Sequence, residues 1–153
     1  GVRREEWRVR QHVAIRQRQH VGGPLARPEV GILCQTHVTR RPVPWGRVST
    51  GDLVWVKWVG GPIVATAKVQ QYRQMVRCDA DTLRSQTKGY ALYDIGAYWE
   101  SLTPAFNAVV VYLAEERWLG RPFHPTARSY GASWVVLEDA ASVDAWLGPG
   151  RHG

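Results

Sequence analysis

The residues of this sequence best suited to chemistry are two arginines, a lysine set among apolar residues, and a hydroxyl-rich loop. Lys57 lies in the run LVWVKW (53–58), where Leu53, Trp55, Lys57 and Val59 share one strand face. Such a lysine either snorkels to water at a rim or reaches into a pocket. In a pocket, desolvation would fit it for work as a base or a hydrogen-bond donor. The simpler role is a contact to phosphate. Trp55 shares its side and is the partner expected to stack on a base. Trp58 faces the other way, so one of Lys57 and Trp58 belongs to the core. Arg40 and Arg41, just before Pro42, form a pair able to fork to phosphate oxygens. Trp45, in the same loop, either covers a cleft or staples the loop to the core.

The segment HPTARSYGASW (124–134) gathers Thr126, Arg128, Ser129, Tyr130 and Ser133 around Gly131. Hydroxyls, an arginine and a flexible glycine ahead of a strand suit ligand recognition. The plain alternative is a polar connector. Ser129 with Lys57 would make an activated nucleophile and base, and these two are the catalytic candidates, although no spacing ties them. Tyr98, beside a Trp99 that fits an apolar helical stripe, is free to edge a cleft. Glu100 is a possible acid, though glutamates on helices are mostly solvated.

Charge is unevenly distributed. Residues 1–47 hold ten arginines against Glu5, Glu6 and Glu29, a net +7, whereas residues 48–153 hold ten basic and ten acidic residues. A basic end on a neutral domain favours a phosphate-bearing partner through counterion release. A bias toward arginine codons would produce the same excess. Eight tryptophans are many for 153 residues. Most should pack a core, leaving two or three to line a groove.

Several classes are disfavoured. Cys34 and Cys78 are too few for a disulfide framework and suit a reducing cytoplasm. Five scattered histidines give no HxxxH and there is no CxxC, so neither metal nor cofactor is expected. No phosphate-binding glycine loop and no GxSxG occurs. No apolar run approaches the roughly 20 residues of a membrane helix, and no signal peptide is evident.

The pattern predicts a mainly β, α+β domain over 30–148. A basic arm or appended element covers 1–29, where Trp7, Val9, Val13 and Ile15 alternate like a strand but the Arg/Gln richness equally suits a helix, and 149–153 form a frayed tail. Strands are expected at Val30 to Val38, in a hairpin over 53–69 turned by Gly60-Gly61-Pro62, at Asn107 to Leu113, and at Ser133 to Leu137. Gly120 and Pro122 should end the third of these. Short helices should follow Asp79 or Asp81, include Leu92, Ile95, Trp99 and Leu102, and close the chain at Ala140 to Leu147. Five or six short strands with few helices argue for a small barrel rather than a βαβ layout.

The order of these pieces resembles the ASCH domain, a branch of the PUA-like superfamily. The matching segments are TRRPVPWGRVSTGD (39–52), LVWVKWVGGPIVATAKV (53–69), NAVVVYL (107–113) and SWVVLED (133–139), and the resemblance covers roughly residues 32–139. The resemblance implies a pseudo-barrel with a cleft between barrel and helices that binds RNA or a modified nucleotide. Some ASCH proteins cleave RNA or deacylate an acylated cytidine, using a lysine and a small polar or acidic partner. The family's early G-x-K-x-x-E-x-R segment is here QTHVTRRPVPW, without its Lys or Glu, with Arg40 or Arg41 where the terminal Arg stands.

Two functions are therefore expected. One is binding of RNA, or of another strand that is single or carries a modified base, through Arg40, Arg41, Trp45, Trp55, Lys57, Tyr98, Arg128, Ser129 and Tyr130. The alternative is a ribonuclease or a nucleoside amidohydrolase built on Lys57. A third, weaker option is a protein-docking domain using exposed tryptophans.

Overall fold

Apolar alternation on both sides of Gly60-Gly61-Pro62 requires a hairpin, and the computed structural model of the chain contains it. The structure describes residues 9–17 and 31–149. Its strands are β1 (Gln11–Arg16), β2 (Ile32–His37), β3 (Leu53–Trp58), β4 (Ile63–Cys78), β5 (Phe106–Phe123) and β6 (Trp134–Leu137). They form one sheet in the order β2-β5-β4-β3-β1-β6. Only β1 and β3 pair in parallel. The two ends of that order come together where Ser133 Oγ, one residue ahead of β6, donates to Gln35 Oε1 of β2 at 2.6 Å. The sheet thus curls into a mainly β pseudo-barrel.

Among the described residues, three short helices cover it. Helix α1 (Ala80–Ser85) is capped by Asp79, whose carboxylate accepts from the Thr82 N–H. A 3-10 turn (Ala91–Asp94) leads to α2 (Gly96–Glu100). Helix α3 (Ala140–Leu147) begins in a capping box of Asp139 and Ser142.

Each sheet face is buried separately. Val54, Val56, Trp58, Val109, Val111 and Trp134 fill the barrel interior. Ile32, Ala108, Val110 and Tyr112 face Leu83, Leu92 and Trp99 of the α1–α2 region. Val13, Ile15, Trp55 and Ile63 face Val143, Trp146 and Leu147 of α3. Strands covered on both faces lose the inside–outside alternation that would mark a solvent side.

Three expectations are corrected. Residues 11–16 are a sheet strand between β3 and β6, not part of an arm outside the domain. Residues 1–8 and 18–30 of the expected arm, and 150–153 of the expected tail, lie outside the described residues. Strand β5 continues through Gly120 and Pro122 to Phe123, because its pairing with β4 continues through a series of bulges to Ile63. Trp55 is core rather than cleft. It is 9% exposed, packs edge-on against Phe123, and its Nε1–H donates to Gln11 Oε1 at 2.9 Å.

Candidate functional site

Loop 38–52 starts where β2 ends and is fixed to the sheet at several points. His37 Nδ1 accepts from the Thr39 and Arg40 N–H groups. Asn107, at the start of β5, donates from Nδ2 to Arg40 O at 3.0 Å and to Thr39 O at 3.2 Å. The Gly46 N–H donates to Gln74 Oε1 on β4. At its far end, Gly51 N–H donates to Val69 O, and Val69 N–H donates to Asp52 O. Gly51 has φ 93, which suits glycine at this sharp return.

On this rigid loop Arg40 and Arg41 are exposed and make no ion pair among the described residues. Arg41 lies over the Trp45 ring at 5.3 Å, a cation–π contact. Trp45 is half-buried against the barrel core, so it staples the loop while leaving part of its ring open. Neither 38–51 nor β4 contains an acidic residue. Arg47 is the loop's exception, 3.4 Å from Glu138.

Strand β2 joins this loop to the seam where the barrel closes. Gln35 meets Ser133 there. On the other side of β2, Tyr98 of α2 hydrogen-bonds Thr36 and packs edge-on against Trp99 at 4.8 Å. Burial pushes the Tyr98 hydroxyl well above its ordinary value, and nearby Cys34 adds to this; Arg16 opposes it. The folded state therefore holds the Tyr98 proton more tightly than the unfolded chain does. That stability is complete below the unfolded value near 10 and is lost as pH rises above it. Tyr98→Phe should flatten the alkaline fall in thermal midpoint above about pH 10; parallel falls in both proteins would count against this burial.

The segment before β6 forms the seam's outer lip. Thr126 and Ala127 are tied to Ala145 O of α3. Tyr130 (φ 51) and Gly131 (φ 88) make a tight turn closed by Ala132 N–H to Ser129 O. That turn holds the Tyr130 ring 92% exposed. Arg128 is exposed and Ser129 half-buried on the same segment.

Lys57 lies elsewhere, at the far end of β3 from loop 38–52. It is half-buried, its Nζ donates to Trp58 O at 3.0 Å, and burial lowers its pKa. No hydrogen bond joins it to Ser129 among the described residues. The structure thus brings Arg40, Arg41 and Trp45 together, sets Tyr98 and the Ser129–Tyr130 turn beside the β2–β6 seam, and leaves Trp55 and Lys57 apart.

Three residues that organise this region escaped the sequence reading. Asn107 opens an otherwise apolar run, a polar residue where a strand buries its side chains. His12 and Asp52 form a buried pair at 2.9 Å, and the Gly-Asp step before β3 was its one visible trace. Among the described residues, no group of His, Cys, Asp and Glu could hold a metal ion, and no helix is long and apolar enough to cross a membrane.

No family model matches the sequence, and no curated protein matches it significantly. Among solved structures, the chain is similar to a crystal structure of ZmASCH from Zymomonas mobilis, a serine-to-alanine mutant. The TM-score is 0.61 and the identity 13%, over 88% of this chain and 92% of that one. This superposition shows that the chain has an ASCH-like fold.

Proposed function

We propose that this ASCH-like domain binds a nucleic-acid strand, single-stranded RNA or a strand bearing a modified base. The observation that carries the reading is the pinned loop that offers Arg40 and Arg41 without ion-pair partners among the described residues, with Arg41 over a partly open Trp45. Rigid arginines meet phosphate oxygens with little ordering cost and fork to two at once. Phosphates would lie on Arg40 and Arg41, one base on the open part of Trp45, and another toward the seam near Tyr98 and the exposed Tyr130. Arg128 and Ser129 stand on the same lip, ready for polar contacts. Lys57 is a rim cation in this reading. The buried thiols Cys34 and Cys78 suit a reducing cytoplasm.

Fluorescence tests this directly. Among the described tryptophans, Trp55, Trp58, Trp99, Trp134 and Trp146 are buried, whereas Trp45 and Trp118 keep an exposed part, and the Trp118 indole N–H is already bonded to Glu116, away from the arginine loop. Titration with short oligouridine should quench tryptophan emission. Trp45→Phe should remove most of that quenching and weaken binding about tenfold, within the ~1–3 kcal/mol of one stacked base. Undiminished quenching in Trp45→Phe removes the stacking role. Absence of binding to any RNA or DNA strand at low salt removes the whole reading.

A further inference from the structure

Arg77 has a backbone that an arginine rarely adopts. Pairing of β4 with β5 passes from Met75↔Ala108 to Cys78↔Phe106, so three steps on β4 answer two on β5. The extra residue makes a bulge, a device that re-aims side chains and gathers near functional sites. Arg77 takes φ 50 there, in the left-handed region that glycine and asparagine favour. Its N–H donates to Asn107 Oδ1 at 3.0 Å. The same buried amide donates to Arg40 O and Thr39 O, so one side chain fixes the backbones of Arg77 and Arg40 together. Arg77 is exposed and makes no ion pair among the described residues. Its backbone gives no reason for an arginine, because glycine would hold this conformation without strain. The side chain gives one.

We propose that Arg77 is a third phosphate contact, completing with Arg40 and Arg41 an anion site organised by Asn107. Its ligand is the phosphodiester backbone of the strand, and that identity rests on the nucleic-acid reading above. Arg77 extends the phosphate path from the loop onto the end of β4. Asn107 acts through the two arginines and is a positioning residue.

Arg77→Gly separates the two roles of this position. Its thermal midpoint should equal or exceed that of the wild type, because glycine relieves the strain. Its affinity for oligouridine at low salt should fall about tenfold, and the slope of log K against log salt should become shallower by about 0.7. Arg77→Asn also tolerates the conformation and should lose the same binding. Arg77→Lys keeps charge without the fork and should fall between. If Arg77→Gly and Arg77→Asn bind with the wild-type affinity and slope while an Arg40→Ala/Arg41→Ala variant does not, the proposal is overturned and the nucleic-acid reading survives. If the wild type binds no strand, inorganic tripolyphosphate decides. A rise in thermal midpoint that Arg77→Gly abolishes sustains the anion site alone, and an equal rise in both, or none in either, overturns it.

Discussion

Asp52→Ala should destabilise the fold by about 3–5 kcal/mol, because it removes two hydrogen bonds to a buried carboxylate, each worth about 1.5–3 kcal/mol. Asp52 Oδ2 accepts from His12 Nε2 and from the Ser49 N–H, each at 2.9 Å. His12 Nδ1 accepts from Trp134 Nε1 at 3.0 Å. An indole N–H only donates, so Nδ1 carries no hydrogen and Nε2 carries one. The contact is a charge-assisted hydrogen bond from a neutral imidazole. His12 is fully buried, and Asp52 and Trp134 are each 4% exposed. The network ties β1, the entry to β3, and β6, three neighbouring strands of the sheet. Removing the carboxylate leaves the fully buried His12 donor unsatisfied and takes the capping acceptor from the Ser49 N–H. Asp52→Asn keeps an acceptor and should cost less. Trp134→Phe orphans only Nδ1 of His12, which adds about 1–3 kcal/mol to any loss of packing. Urea unfolding of these variants gives the order directly; an Asp52→Ala midpoint equal to the wild type would mean the network contributes nothing.

Asn107→Ala should show the second large effect, and on function more than on stability. The variant loses one acceptor and two donor contacts at a site that is 7% exposed. At about 1 kcal/mol for each bond, the cost is roughly 2–4 kcal/mol. Binding should fall further than stability suggests, at least tenfold, because Arg40 and Arg77 lose their common anchor. The effects of Arg40→Ala and Arg77→Gly should shrink in the Asn107→Ala background, since contacts held by one residue are not additive. Asn107→Asp keeps the acceptor for Arg77 but sets an anion against two carbonyls, so it should not rescue. Full additivity in the double variants would leave Asn107 a structural residue only.

The hairpin was legible because its two-residue period and its Gly60-Gly61-Pro62 turn are both local. Helix α3 was legible from Val143, Trp146 and Leu147 on one side. The arginine loop was legible from Arg40, Arg41 and Trp45 themselves. What escaped depends on residues distant in sequence. Trp55 looked like a cleft residue because alternation gives two faces without saying what covers each, and α3 covers the outer one. β1 looked ambiguous because Gln11, His12 and Arg16 are polar. Gln11 and His12 are satisfied by Trp55 and by Asp52 and Trp134, 40 to 122 residues away. The length of β5 was hidden by Gly120 and Pro122, which the bulged pairing with β4 tolerates. Arg77 could not be found from sequence, since its conformation follows from a register between strands.

The most direct test of the nucleic-acid site is the salt dependence of oligouridine binding by the wild type and by an Arg40→Ala/Arg41→Ala variant, from about 50 to 200 mM salt. The wild type should lose affinity steeply as salt rises. The variant should bind at least tenfold more weakly at low salt, with a slope shallower by about 1.4, or about 0.7 for each phosphate contact removed. The same slope and affinity in both proteins would contradict a phosphate-binding role for this loop.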